Sequence, residues 1–257
     1  MDYVYLPLTS PRCTRVIRLQ GAPDPSNPII FKLVEISLAN IQCEPYDALS
    51  YTWGGQPLDR LVSCGSKALS ITANAEAALR RLRWKKKARH VWVDAICINQ
   101  ASVAERNVQV TNMGDIYRRA ERVLIWLGEA TPNAEMAFRI MRDFWRMVKP
   151  ISTRRGVRSR IAKAKKDDGP WEPDGFDGMK SKLLSKLTRD QRAQLIRGVV
   201  DIQSRPYWER VWTLQEVGLC RHADSCLVFC GALEPVSLWF LESIPRAFQT
   251  MELPGID

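Results

Sequence analysis

The sequence predicts an α/β fold with three layers and a mainly parallel sheet. Apolar segments that are typical of strands, at residues 46–51, 90–100 and 122–128, alternate with two segments whose apolar residues recur at helical spacing. That alternation indicates strand–helix–strand units with right-handed crossovers. The second strand segment, HVWVDAICINQ, is almost continuously apolar, as expected for a strand that is covered on both faces.

Two further strands precede this pattern and are expected to extend the sheet at its N-terminal side. They are TRVIRLQG, residues 14–21, and PIIFKLVEISLA, residues 28–39, with a proline-rich turn between them. The first central strand, YDALSY, then runs into Trp53, Gly54 and Gly55. Two glycines after a strand predict a loop that can approach a ligand closely.

Two helices are predicted between the central strands. The first begins at Thr72 or Asn74, and its apolar face carries Ala75, Ala78, Leu79 and Leu82. The second lies in ASVAERNVQVTNMGDIYRRAE, where the apolar face carries Val103, Val110, Met113, Ile116 and Tyr117.

The pattern changes after residue 128. Helices are predicted in AEMAFRIMRDFWRMV and in SKLLSKLTRDQRAQLIRGVVDIQ, and CLVFCG predicts a later strand. Between the two helices, residues 150–182 are first basic and then rich in Gly, Pro and Asp, so we expect a surface excursion whose deletion leaves the sheet folded. The expectation is a single domain over residues 1–257, with a core at about 3–128 and 198–231 and an insertion at about 129–197.

Composition excludes several classes of protein. With 257 residues, of which 46% are apolar, the chain has enough material for a core, and no apolar run is long enough to span a membrane. The N-terminus has neither the basic start nor the apolar centre of a secretory signal, so we expect a cytoplasmic protein. Seven cysteines at irregular spacing fit reduced thiols.

Neither a metal nor a cofactor is expected. Cys226 and Cys230 on the predicted strand would lie roughly 13 Å apart at about 3.3 Å per residue, too far for two ligands of one zinc ion. The P-loop, the dinucleotide fingerprint and the G-x-S-x-G motif are absent from the sequence. Residues 149–197 carry +8 of the net charge of +10, so the basic character belongs to one segment rather than to the fold.

Three blocks of this sequence resemble the signature blocks of the fungal heterokaryon incompatibility (HET) domain. They are YDALSYTWGG, VWVDAICINQASVAERNVQVTNMGDIYRRAERVLIWLGEA and RPYWERVWTLQEVGL, and the resemblance covers roughly residues 3–231. It implies a role in fungal non-self recognition and regulated cell death, with an unidentified recognition protein as partner. It also implies a chain that is often the N-terminal part of a longer protein.

The same blocks are more remotely similar to TIR domains, which implies a TIR-like (flavodoxin-like) sheet. Many TIR domains cleave NAD at its glycosidic bond with a glutamate that follows a tryptophan by four residues, and Trp212 and Glu216 match that pair. The resemblance therefore implies NAD or a related nucleotide as substrate, no cofactor, and self-association for activity. The large insertion at residues 129–203 departs from the TIR layout.

Glu216, in the stretch SRPYWERVWTLQE, is the candidate catalytic residue. Trp212 and Glu216 share one helix face, which would place an apolar wall beside a partly desolvated carboxylate. One carboxylate is enough for NAD, because nicotinamide is already a cationic leaving group and departs without the general acid that ordinary glycosides need. The structural alternative is an ion pair of Glu216 with Arg210 or Arg205.

The other candidates are expected to bind the substrate, and each has a structural alternative. The two arginines could contact a diphosphate or pair with carboxylates. The loop after residues 46–51 lies where α/β sheets bind ligands, but is also explained as a tight turn. Asp94 could hydrogen-bond the backbone of that loop or a ligand hydroxyl, and Asn99 and Gln100 could cap a helix or touch the substrate. The expected substrate-binding set is Ser50, Tyr51, Trp53, Gly54, Asp94, Asn99, Gln100, Arg205, Arg210 and Trp212.

The leading hypothesis is a cell-death effector that hydrolyses NAD, and two rivals stand beside it. One is a non-catalytic module that assembles partners, in which Glu216 is locked in ion pairs without a pocket. The weaker rival binds nucleic acid through residues 149–197. An enzyme requires that the strands of Ser50 and Asp94 lie side by side, and that their carboxyl ends and Glu216 border one cleft.

Overall fold

The computed structural model describes residues 1–40, 44–152, 185–220 and 225–238, with backbone alone for residues 144–152, 214 and 215. The described strands are β1 (Cys13–Leu19), β2 (Ile30–Ser37), β3 (Asp47–Tyr51), β4 (Arg60–Cys64), β5 (Lys67–Ile71), β6 (Arg89–Trp92), β7 (Arg122–Trp126), β8 (Cys226–Phe229) and β9 (Val236–Ser237). The described helices are α1 (Ala73–Leu82), α2 (Asp94–Cys97), α3 (Val103–Arg119), α4 (Pro132–Ser152), α5 (Arg189–Gln203) and α6 (Thr213–Gly218), and a 3₁₀ helix spans Pro206–Glu209.

The described strands form one sheet in the order β5-β4-β2-β1-β6-β3-β7-β8-β9. The predicted α/β class is confirmed, but the prediction of a mainly parallel sheet is wrong. Parallel pairing joins β6, β3, β7 and β8 at the centre, whereas β1 lies antiparallel to both β2 and β6. The predicted N-terminal strands do extend the sheet, and the antiparallel pairs that flank the centre make it mixed.

Strand β3 is held between its two neighbours by Asp47, which is buried. Arg89 on β6 donates from Nε to Oδ2 of this carboxylate at 2.8 Å, and Arg122 on β7 donates from Nε to Oδ1 at 2.7 Å. A buried carboxylate is tolerated when it is paired and hydrogen-bonded in this way. The two ion pairs fix the position of β3, and with it the position of Ser50 at the carboxyl end of the strand.

The predicted strand at residues 90–100 is shorter than the apolar run suggested. It ends at Trp92, and Asp94 begins the short helix α2, in which the N–H groups of Ile96 and Cys97 donate to the carbonyl of Val93. An apolar run by itself does not distinguish a buried strand from a buried helical turn. Asp94 therefore follows the strand instead of lying within it.

Helix α1 agrees with the prediction, and helix α3 agrees in part. Thr72 caps α1 by accepting from the N–H of Ala75, and the predicted apolar face of α1 is buried. In α3, Met113, Ile116 and Tyr117 are buried as expected, but Val103 and Val110 are exposed. Their predicted places in the core are taken by two amides, Gln109 and Asn112, which donate to the carbonyls of Cys13 and Pro11.

The described residues fall into two compact units. Unit 1 comprises Met1–Glu129 and Arg205–Ser237, and unit 2 includes residues 130–152, 185–204 and Leu238. Unit 1 contains the whole described sheet, and unit 2 is built on the packed pair of helices α4 and α5. The surface excursion expected at residues 150–182 lies largely outside the described residues.

None of the helices in the described ranges is both long and apolar enough to cross a membrane.

Candidate functional site

Glu216 lies in α6 of unit 1 and is only 1% exposed. Its carboxylate accepts from Arg210, with Nη2 at 3.1 Å from Oε1 and Nη1 at 3.3 Å from Oε2, and it also accepts from the hydroxyl of Ser50. The sequence analysis offered Arg210 and Arg205 as alternative ion-pair partners of Glu216, and the structure shows the pair with Arg210. The other partner, Arg205, binds the backbone carbonyls of Leu127 and Glu129.

The hydroxyl of Ser50 joins Glu216 to a second buried group, Tyr207. The two hydroxyl oxygens are 2.7 Å apart. Because Ser50 has a single proton and gives it to Glu216, it accepts the proton of Tyr207. Burial raises the pKa of the Tyr207 phenol above its ordinary value of 10.0, which keeps it a donor at neutral pH. The carboxylate is thus oriented by a fixed arginine and by a chain of two hydroxyls.

Beside this carboxylate is a cleft of about 190 Å³. Its lining residues are Trp53, Asp94, Ile98, Gln100, Arg106, Val110, Met113, Arg210, Trp212 and Glu216. Strands β3 and β6 are parallel neighbours, and the segments that follow their carboxyl ends meet Glu216 at this cleft. The predicted juxtaposition of the two strands with Glu216 is confirmed.

Asp94 is the second carboxylate at the cleft. The indole Nε1 of Trp53 lies 3.1 and 3.2 Å from its two carboxylate oxygens, and the N–H of Ala95 donates to Oδ1 at 2.7 Å. Burial raises the pKa of Asp94 to about 6, and the negative charge of Glu216 adds to the shift. Asp94 therefore binds the loop after β3 through the side chain of Trp53, whereas the sequence had suggested the backbone of that loop.

Two tryptophans form exposed parts of the cleft wall. Trp53 is 38% exposed and Trp212 is 50% exposed, although both side chains are large and apolar. The loop that carries Trp53 turns through Gly54 and Gly55, whose φ angles of 66° and 64° favour glycine. Exposed indoles beside buried charges suit a planar ligand that carries charge.

Gln100 also reaches the cleft, where its Nε2 donates to the carbonyl of Asp94 at 2.9 Å. Four other predicted residues lie elsewhere in unit 1. Tyr51 is buried within β3, and Arg205 is bound to backbone carbonyls. Asn99 accepts from the N–H of Ala101 in the turn before α3, and Gly54 serves the turn beside Trp53. Neither these four nor Ser50 lines the cleft, although Ser50 touches Glu216 directly.

The sequence interpretation missed the wall that α3 contributes. Arg106, Val110 and Met113 follow one another at spacings of four and three residues, so they lie on one face of α3. Arg106 on the same helix face was a usable signal, but Val110 and Met113 were assigned to the core and Arg106 was given no role. Tyr207 was also missed, because its partner Ser50 is 157 residues away in the sequence.

The cleft combines features that stabilise positive charge and hold a planar ring. A buried carboxylate with fixed hydrogen bonds is preorganised, so it can stabilise a developing cation without reorganising. Arg106 and Arg210 provide positive charge for an anionic part of the same ligand.

Comparison with known proteins gives a consistent family relationship. The family model described as Heterokaryon incompatibility protein (HET) matches residues 46–216. The chain is 29% identical over 210 residues to "Heterokaryon incompatibility protein 6, OR allele" of Neurospora crassa. This match covers 72% of the present chain and 28% of the relative, so the chain spans less than a third of that protein's length. No solved structure matches the chain.

Proposed function

This chain belongs to the heterokaryon incompatibility (HET) family, and we propose that it is a cytoplasmic effector of fungal non-self recognition and cell death that hydrolyses NAD. The observation that carries the proposal is Glu216, a buried carboxylate that is oriented by Arg210 and Ser50 and borders an open cleft. The family and the Neurospora relative support the biological role, and the cleft supports the chemistry.

The proposed reaction breaks the bond between the nicotinamide nitrogen and C1′ of the ribose. The electron pair of that bond goes to the nicotinamide ring, which leaves as a neutral molecule. The ribosyl centre becomes cationic and is captured by water, which gives ADP-ribose after loss of a proton. Because the leaving group needs no protonation, the main demand on the protein is stabilisation of the cation, and Glu216 is suited to that task.

The other residues at the cleft have proposed roles that follow from their positions. Trp53 and Trp212 hold the nicotinamide ring between apolar surfaces, and Arg106 faces the diphosphate. The cleft of about 190 Å³ is smaller than the roughly 300–1,000 Å³ of sites that enclose a whole ligand. The nicotinamide–ribose end therefore enters the cleft, and the adenosine end lies over the exposed rim.

The architecture around the cleft supports the similarity to TIR enzymes. The four central strands β6, β3, β7 and β8 are parallel, and the site follows the carboxyl ends of two of them. Ligands of open α/β sheets bind at such ends. By the same similarity, we propose that the active form is a self-associated one, so the activity depends on protein concentration.

A second candidate function is a non-catalytic module that assembles partners. It is supported by the ion pair between Arg210 and Glu216, which is a structural use of the same carboxylate. It is also supported by exposed apolar side chains around the site, since Val211 is 81% exposed beside Trp212. The nucleic-acid hypothesis concerns residues 149–197, most of which lie outside the described residues.

The test is nicotinamide release from NAD by the purified protein at high concentration, with Glu216→Gln beside the wild type. The amide keeps the shape of the side chain but removes its charge. Turnover is expected to fall by on the order of 100-fold or more, the effect of losing one preorganised electrostatic contact of about 3 kcal/mol. NAD binding is expected to change little, because ground-state hydrogen bonds to ribose hydroxyls survive in the amide.

The matched control is Glu105→Gln. Glu105 also pairs with an arginine, Arg15, at 2.6 Å, but it does not line the cleft. This variant is expected to lower the melting temperature and to leave turnover per folded molecule unchanged. The proposed NAD hydrolysis is ruled out if the wild type releases no nicotinamide over a range of protein concentrations. A Glu216→Gln variant that loses about 3 kcal/mol of stability would favour the structural role, because it strands Arg210 without its anion.

A further inference from the structure

A second depression in unit 1 is basic and lies apart from the cleft. It is an open groove of about 950 Å³, and no residue that lines it also lines the cleft. Three of its lining residues carry positive charge: Arg18 on β1, Lys32 on β2, and Lys86 in the loop before β6. None of the described residues that line the groove is acidic. Three separate elements therefore direct cations toward one surface depression.

The arrangement of Arg18 and Lys32 is unfavourable in the absence of a bound anion. The two residues are direct cross-strand partners in the antiparallel pair β1–β2, so their side chains lie on the same face of the sheet. Like charges in that position repel each other. Within the described part of the chain, neither residue forms a salt bridge with an acidic side chain. An anion in the groove would relieve this repulsion.

Lys86 is placed by a close packing contact of the backbone. A Cβ atom on Gly21 would lie 2.8 Å from the carbonyl oxygen and 2.9 Å from the nitrogen of Lys87, so only glycine fits at that position. The N–H of Ala22 donates to the carbonyl of Trp84 at 3.0 Å, and the ammonium of Lys87 lies 4.5 Å above the Trp84 ring. These contacts hold the loop that carries Lys86 against Gly21 and Ala22, which follow β1.

We propose that this groove binds a ligand that carries clustered phosphate groups. The planar guanidinium of Arg18 suits bidentate recognition of one phosphate, and the two lysines act as point charges for others. Gln20 and Ser66 also line the groove and supply neutral donors. A volume of about 950 Å³ lies within the roughly 300–1,000 Å³ of small-molecule sites, and the exposed Ile30 offers an apolar contact.

This site is independent of the proposed NAD hydrolysis. Arg18 pairs in register with His90 near the beginning of β6, whereas Asp94 follows the end of the same strand at the cleft. The two depressions therefore lie at opposite ends of β6. Binding in the groove leaves the residues of the cleft free, so the groove ligand is a second molecule and not the substrate.

The test measures binding of two phosphate probes to the full chain by calorimetry and sedimentation. The first probe is sodium tripolyphosphate in about 0.15 M salt, and the second is a phosphatidylcholine vesicle that contains phosphatidylinositol bisphosphate. Lys32→Ala and Lys86→Ala are each expected to weaken binding by about tenfold or more, as for loss of one charge-assisted hydrogen bond. Lys85→Ala removes the same charge from a residue that does not line the groove, and is expected to change binding less than about twofold.

The two probes distinguish the source of the phosphate. Binding of tripolyphosphate that depends on Lys32 and Lys86 supports a free ligand, and binding of the vesicle alone with the same dependence supports a lipid headgroup. Lys32→Ala is also expected to keep or raise the melting temperature, because it removes the repulsion from Arg18. The proposal is overturned if neither probe binds, if Lys85→Ala weakens binding as much as Lys86→Ala, or if duplex RNA binds and tripolyphosphate fails to displace it.

Discussion

The charge state of Asp94 responds to mild acid. Its carboxyl pKa lies near 6 in the folded protein instead of the ordinary 3.8, because burial disfavours the anion. The folded state therefore binds more protons than the unfolded state between about pH 4 and 6. In that window this group adds stability as the pH falls, and the added stability is lost as the pH rises through 6.

We predict that Asp94→Asn removes this pH dependence. The free energy of unfolding of the wild type, relative to the variant, should rise as the pH is lowered from about 7 to about 4. Urea unfolding across that range measures the difference. A difference that falls or stays constant with decreasing pH would mean that the Asp94 pKa is not raised in the folded protein.

Single residues also show how far the sequence could define the site. Glu216, Asp94 and Trp212 stood out because charged or large aromatic side chains occur there in apolar surroundings, and all three line the cleft. Of the partners that orient Glu216, Arg210 was named from the sequence, but Ser50 was not. Ser50 is 166 residues from Glu216, and no local pattern reports a contact of that separation.

At the scale of elements, unit 2 depends on a close approach of its two described helices. A Cβ atom on Gly198 of α5 would lie 2.2 Å from the carbonyl oxygen of Asn133 and 2.7 Å from Cβ of Ala137, both on α4. Glycine lowers the helix propensity of α5 by about 1 kcal/mol relative to alanine. Its presence at this position allows the two backbones to pack.

We predict that Gly198→Ala destabilises the protein, although alanine has a higher helix propensity than glycine. Overpacking of a tight contact costs about 1–3 kcal/mol, which exceeds the gain in propensity. The matched control is Gly218→Ala in α6, where a Cβ atom meets nothing within 4 Å and a neutral or stabilising effect is expected. Thermal melts of both variants provide the comparison, and equal melting temperatures would show that α4 and α5 tolerate the added methyl group.

Elements with a local signal were predictable, and the exceptions have physical reasons. Helix α1 was found from its cap and its periodic face, both of which lie within a few residues of one another. The hairpin of β4 and β5 was missed, although its two-residue turn at Gly65 and Ser66 is a usual hairpin signal. The break of the predicted strand at Val93 was missed, because a buried helical turn is as apolar as a buried strand and Asp94 alone did not distinguish the two.

For the whole molecule, unit 1 is assembled from two separate parts of the chain. Strand β7 pairs with β8, so the segment Arg205–Ser237 returns to the sheet begun by Met1–Glu129. The basic stretch of the sequence, residues 149–197, contributes no described strand to the sheet. The described sheet is therefore formed without residues from the surface excursion that the sequence predicts at residues 150–182.

We predict that a short Gly–Ser linker can replace residues 153–184 without unfolding the sheet. The melting temperature is expected to change by less than about 4 °C, which corresponds to about 1 kcal/mol for a chain of this size. Truncation after Ser204 is the contrasting variant, because it removes β8 together with Glu216, and we expect it to prevent folding of unit 1. Loss of the far-ultraviolet circular dichroism of the sheet in the linker variant would contradict the prediction.

The pairing of Ser50 with a carboxylate 166 residues later has a consequence for biosynthesis. At about 5–20 residues per second, a ribosome adds Glu216 roughly 10–30 s after Ser50. Until then a nascent chain lacks Arg210, Trp212 and Glu216, and the cleft has only part of its wall. Chains that end early, through premature stop codons or abandoned translation, therefore carry no complete site. For an effector proposed to act through this cleft, an incomplete copy lacks the proposed catalytic residue.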